Sequence, residues 1–317
     1  MYDLDVLKRS GTDRRAFLTR MSAAGLGAAA VALLAGCDSS SSNNNGSSTP
    51  DLNTTTKAFS FRPAGTSTDV IVPGTSQNVI VLNYALTLEF LEADLYRQAL
   101  NAASGRALTT ALDGTTPTGN QTAPVSSTAP SGGSLGSYSL SPNVMPGSIS
   151  SIYQQAAFAY LVQFAYVEAA HRDFLTAALG GLAANGGSAN PLQGPTKTYT
   201  LPPGTDATTL SGILNAILPL EETGVRAYLG AGKYLQDNTT LQTAVAIYST
   251  ECRHSASIEY ILDPTGGTIG PRNNISNVPS GEYEVATPVG SASGASNIFE
   301  KALQPTTVLS AVFPRLA

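Results

Sequence analysis

The chain contains only two histidines, and each closes a Glu-x-x-His step: Glu168-Ala169-Ala170-His171 and Glu251-Cys252-Arg253-His254. On an α-helix, positions three apart share a face with Cβ atoms about 5–6 Å apart, close enough for both side chains to hold one metal ion. A binuclear carboxylate–histidine site needs two such steps and two lone glutamates, in alternating order on four helices. Lone candidates occur in that order: Glu89 or Glu92 ahead of the first step, Glu221 or Glu222 between the two. A single Glu-x-x-His is better read as a hydrogen-bonded core pair or a helix-surface pair. The ordered set of four points to metal.

Such a site needs helices to hold it, and four stretches carry a helical period. The first aligns Leu82, Leu86, Glu89, Ala93, Tyr96 and Leu100. The second, from about Ser148 to Leu179, aligns Leu161, Ala165, Glu168, His171, Leu175 and Ala178, and Gly180-Gly181 offers a stop. The third starts near Asp206 and aligns Leu210, Leu214, Ile217, Glu221, Val225 and Tyr228. The fourth aligns Leu241, Val245, Tyr248, Glu251, His254, Ile258 and Ile261, and ends before Asp263-Pro264. The architecture is therefore all-α. In every stretch the glutamate interrupts an apolar stripe, where an ionised carboxylate costs several kcal/mol unless paired or bound to metal. Four facing glutamates would also repel, and some would hold protons. Two divalent ions cancel the four charges, and neutral imidazoles complete the coordination.

A weak internal repeat helps choose among the paired glutamates. Leu88-Glu89 precedes Tyr96 as Leu220-Glu221 precedes Tyr228, the tyrosine seven residues past the glutamate each time. Glu92 corresponds to Gly224, which cannot be a ligand, and Glu222 corresponds to Phe90. The repeat favours Glu89 and Glu221, leaves Glu92 as an alternative or supporting carboxylate, and turns Glu222 toward solvent. Pro219 removes a backbone hydrogen bond just before Glu221, which either bends the third helix or breaks it in two. Tyr166 and Tyr248, two and three residues before ligand glutamates, are either donors to the site or core residues.

The amino terminus addresses location. Asp13-Arg14-Arg15-Ala16-Phe17-Leu18 has the form of a twin-arginine signal, and an apolar run from Ala23 to Ala35 follows, too short to span a bilayer at about 20 residues. Leu34-Ala35-Gly36-Cys37 resembles a lipobox, which would make residues 1–36 a removed signal peptide and Cys37 the lipidated, membrane-anchoring residue. The polar segment 37–56 reads as a solvated tether. With residues 1–36 go five Lys/Arg and three Asp, so the net charge moves from −5 to −7. An acidic body with 12% charged residues offers no basic patch for nucleic acid. Cys252 then has no disulfide partner.

These residues resemble the ferritin-like superfamily, and most closely its exported bacterial branch that includes desiccation-related proteins. The likeness rests on the segment Leu82 to Glu92, both Glu-x-x-His steps, and Glu221-Glu222-Thr223-Gly224-Val225-Arg226-Ala227-Tyr228-Leu229-Gly230. It covers about Asn78 to Leu262. It implies an antiparallel four-helix bundle over residues 57–262, with a long crossover at residues 182–205. The metal ligands it implies are Glu89, Glu168, His171, Glu221, Glu251 and His254, with Glu92, Tyr96, Tyr166, Tyr228 and Tyr248 in support. Ferritins share the tyrosine seven residues after the first glutamate. They lack the long insertion between the first and second helices (102–147) and the irregular tail (263–317) rich in Pro, Gly and Ser. Those additions and the lipid anchor argue against a closed storage shell, and leave a protein partner or homo-oligomer open.

A site with one histidine per metal suits iron or manganese equally. No Cys-x-x-Cys pair is present to feed it electrons within the chain. Two functions follow: a redox metalloprotein of the cell envelope, handling peroxide, oxygen or ferrous iron, or a non-catalytic, metal-stabilised envelope protein for desiccation protection or partner binding.

Overall fold

The computed structural model describes residues 51–112, 138–180, 199, 201–264, 282–283 and 302–316. Four long helices form the bundle: α2 (Gln77–Ala103), α3 (Gln154–Ala178), α4 (Leu210–Ala231) and α5 (Asn238–Leu262). The hairpins α2–α3 and α4–α5 pack against each other, chiefly through α2 on α4. Three of the starts are set by polar side chains: Ser76 caps α2, Thr209 caps α4 and Asp237 caps α5, each accepting from a backbone N–H of the first turn. Asn78 ties two of these ends together, donating to Asp237 at 2.6 Å and accepting from the Gln236 N–H at 2.9 Å.

Two helix starts fall later than the periodicity indicates. Residues 151–153 are turn and α3 begins at Gln154; residues 206–209 form a polar turn in which Asp206 accepts from Thr208 and Thr209. Helix α4 runs through Pro219 as one element; Thr223, one turn on, donates its hydroxyl to the Pro219 carbonyl at 2.6 Å. The break considered for this position is not there. On α5 the early stripe is displaced: Leu241 and Val245 are exposed, and Thr240 and Ile247 take the inward positions.

Residues 52–56, expected to belong to a tether, are helical. Asp51 caps a short helix, α1 (Leu52–Ala58), which packs on α2 and leads into the hairpin β1 (Ser60–Phe61) and β2 (Val70–Ile71). Phe59, fully buried, meets Tyr84 of α2 edge-on at 5.0 Å. The described ends of the insertion fold back on α2: Arg97 and Asn101 bind the Leu108 and Thr110 carbonyls, and the Ser141 N–H donates to Ala103. The tail adds ordered pieces that its composition hides. Strand β4 (Ala302–Leu303) pairs with β3 (Glu282–Tyr283), and α6 (Pro305–Leu316) buries Val308, Leu309 and Val312 against α4 and β1. Most of the crossover at 182–205, the twin-arginine signal and Cys37 lie outside the described residues. Among the described residues no helix is long and apolar enough to cross a membrane.

Candidate metal centre

Each bundle helix carries its ligand candidates on the face that its apolar stripe turns inward. Glu89 on α2, Glu168 on α3, Glu221 on α4 and Glu251 on α5 are all fully buried, and His254 nearly so. Their ligand atoms gather into two overlapping groups, each with all members within 4.8 Å of one another: Glu89, Glu168, His171 and Glu251; and Glu168, Glu221, Glu251 and His254. Glu168 and Glu251 belong to both. Glu168 places Oε2 3.1 Å from His171 Nδ1 and Oε1 2.7 Å from His254 Nδ1. His171 Nδ1 is 3.4 Å from Glu251 Oε1 and 3.5 Å from Glu89 Oε2, and His254 Nδ1 is 3.5 Å from Glu221 Oε1. All six residues that the sequence proposes as ligands thus meet in one place, two groups sharing two carboxylates.

The donors at this place are left over by the protein itself. Oxygens of Glu89, Glu168, Glu221 and Glu251 are buried without a hydrogen bond, and so is His254 Nδ1. The 2.7 Å approach of His254 Nδ1 to Glu168 Oε1 lacks hydrogen-bond alignment, so neither atom satisfies the other. A folded core rarely strands so many polar atoms together. Hard oxygen donors with two imidazoles fit divalent iron or manganese, and cations held by the two groups would give the stranded atoms partners.

Electrostatics point the same way. Burial, then the neighbouring carboxylates, hold Glu92 and Glu251 well above the usual carboxylate range, and burial raises Glu89. Burial would lift Glu168 too, but the two imidazoles overcome it and hold the carboxyl at about 2. For the histidines burial works downward and loses to the carboxylates: His254 is pushed up to about 10 by Glu221 and Glu168, His171 well up by Glu168 and Glu89. The metal-free cluster thus gathers protons onto nitrogen and oxygen atoms that a divalent ion would otherwise use.

The supporting residues divide. Tyr96 of α2 donates its hydroxyl to Glu221 of α4, and Tyr228 of α4 donates to Glu89 of α2. Both phenols are buried, and burial with the adjacent carboxylate holds each well above 10, so they remain neutral donors. Tyr166 is buried in the hydrophobic core and Tyr248 packs against it from a half-buried position. Glu92 is buried with Oε2 unpartnered and lies beside Gly224, where an added Cβ would come 3.0 Å from Glu92 Oε1 and 3.3 Å from Glu251 Oε2.

Glu222 does not face solvent. It is buried, accepts the Ser255 hydroxyl and pairs with Arg226 at 3.4 Å. The sequence signal is Arg226, four residues on along a helix that is mostly apolar: a buried arginine needs an acid. Phe164 was also missed. It stacks on the His254 ring at 3.8 Å and 28°.

A family model described as a ferritin-like domain matches residues 77–264. No curated protein and no solved structure matches the chain.

Proposed function

The chain belongs to the ferritin-like domain family, and from that premise we propose a cell-envelope metalloprotein that holds two divalent ions, iron or manganese, and uses them to turn over peroxide, oxygen or ferrous iron. One observation carries this reading: the two ligand groups share Glu168 and Glu251, so residues for two ions would be held together, with those two glutamates available to both. Such a pair supplies one-electron redox steps on each ion. The first ion would be held by Glu89 and His171, the second by Glu221 and His254. Tyr228 and Tyr96 orient the two terminal glutamates by donating to one oxygen of each and leaving the other oxygen to the ion. The His171 side chain is 16% exposed and that of His254 4%, which makes the His171 half the side open to ions and small oxidants.

The twin-arginine and lipobox patterns support export and anchoring at Cys37. Export in the folded state suits a protein that acquires its ions before it leaves the cytoplasm. A Cys37→Ser chain should move from the membrane fraction to the soluble one.

A second reading has its own observation. Four buried glutamates with stranded oxygens are a liability without cations, so the ions could serve the fold alone, in a protein that protects the envelope or binds a partner. Elemental analysis of protein matured in its native host, followed by addition of hydrogen peroxide and of ferrous ion under air, decides between them. Two ions per chain with peroxide loss or ferrous oxidation supports the redox reading. Two ions with neither reaction supports the structural one, and no ions in a folded protein removes both.

A further inference from the structure

The two halves of the centre are not equally connected to the surface. Near His171 the connection is solvent, since its side chain is itself 16% exposed. Near His254 water is excluded and the connection is aromatic. Tyr160, 42% exposed on α3, stacks on Phe164 one turn further along at 5.6 Å and 13° between planes. Phe164 stacks in turn on the His254 imidazole at 3.8 Å and 28°. Tyr96, the donor to Glu221, flanks the stack edge-on, 6.4 Å from Phe164 and 6.5 Å from His254. Three parallel rings therefore join solvent to one metal-ligand candidate. Packing alone asks only for apolar volume at position 164; a phenol half in water at position 160 contributes little to a core.

We propose that Tyr160 and Phe164 are the electron route between the protein surface and the His254 half of the centre. The inference rests on the metal reading above and adds to it a path for single electrons from an external donor. Delivered from outside, one electron from a small-molecule reductant passes Tyr160 and Phe164 and converts one ferric ion to ferrous. In the opposite sense, an external one-electron oxidant removes an electron from the Tyr160 phenol, whose proton passes to solvent. The neutral tyrosyl radical then takes one electron from a ferrous ion through Phe164 and His254 and one proton from water, restoring the phenol and leaving one ferric ion. Phe164 is not itself oxidised; its ring carries the coupling.

The test uses this second sense. The full chain is loaded anaerobically with ferrous ion, its occupancy measured, and flash-quenched ruthenium(III) tris-bipyridine supplies the oxidant. Transient absorption should show a tyrosyl signal that decays as ferric iron appears. Tyr160→Leu and Phe164→Leu, at unchanged occupancy, should each slow ferric formation several-fold, and Tyr260→Leu, an exposed tyrosine outside the stack, should not. Unchanged rates in the first two variants, or slowing by Tyr260→Leu alone, overturn the route while the metal reading stands. A wild-type chain that takes up no iron overturns both. Peroxide inertness of a loaded chain with the expected rates would overturn the redox function and leave the route.

Discussion

The two helix pairs of the bundle are built to different rules. Helices α2 and α4, which carry the lone glutamates, bury all but three of their 27 and 22 residues. Helices α3 and α5, which carry the Glu-x-x-His steps, bury fewer than half of their 25 residues each. Among the described residues the first pair is covered by α1, strand β4 and the tail helix α6, and the second leaves Tyr160, Val245 and Tyr260 exposed. The first pair supplies two of the six ligand candidates and the second supplies four, so most of the ligands sit on the more exposed pair. One wall is a buried frame, and the other is a thin wall between ligands and surroundings.

The contrast can be broken or sharpened by experiment. The largest effect belongs to the thin wall: Glu168→Ala with His254→Ala removes a shared carboxylate and an imidazole and should take metal content from two ions to near zero. The frame should hold, so helical circular dichroism stays unchanged. Loss of the fold in that variant would mean that α3 and α5 are structural after all.

In the frame, Arg226→Met strands the Glu222 carboxylate in the core, and one unpaired buried charge costs about 3–5 kcal/mol. Chemical denaturation would measure it. Val245→Ser, on the open face, should stay within about 0.5 kcal/mol by the same method. A large loss there would reveal that the face is covered in solution.

Acidity separates the metal-free and loaded states. His254, at about 10 against an ordinary 6.5, binds its proton more tightly when folded, so its stabilisation is complete below pH 6.5 and lost as pH rises through 10. Glu92 and Glu251, held well above 4.5, act in the same sense. Glu168, at about 2, acts oppositely but only below pH 4.5. Metal-free protein should therefore lose thermal stability from pH 6.5 to 10. Over the same interval divalent ions compete better against protons, and added manganese should stabilise progressively more. Parallel pH profiles with and without metal would contradict this. The smallest effect on the centre is Gly224→Ala, which presses on the Glu92 and Glu251 carboxylates and should weaken metal binding by roughly tenfold.

Much of this was legible in the sequence because ligand spacing and helical period agree. The steps at 168/171 and 251/254, and the repeat that singles out Glu89 and Glu221, are local patterns, and the helices preserve them. The misreadings share a cause. The internal repeat sets Glu222 opposite Phe90 and so points it to solvent, but α4 has almost no solvent face. Leu241 and Val245 were turned inward on the assumption that α5 keeps its apolar residues inside, and its early turns lie on the open side. Which helix is covered depends on α1, β4 and α6, segments outside the helix itself. No period within the helix records them. The crossing of the tyrosines was hidden likewise: Tyr96 and Glu89 lie two turns apart on one face, yet each phenol serves the opposite helix.

That crossing has a kinetic consequence. The two phenol–carboxylate bonds span 125 and 139 residues of chain, and contacts of such range form late, after each hairpin has found its own local pairing. A lone α2–α3 hairpin offers Glu89, Glu168 and His171 with Tyr228 missing; a lone α4–α5 hairpin lacks Tyr96. Neither half presents an oriented ligand set until the other has docked. During folding, cations would therefore meet a docked pair of hairpins and would not nucleate either one alone.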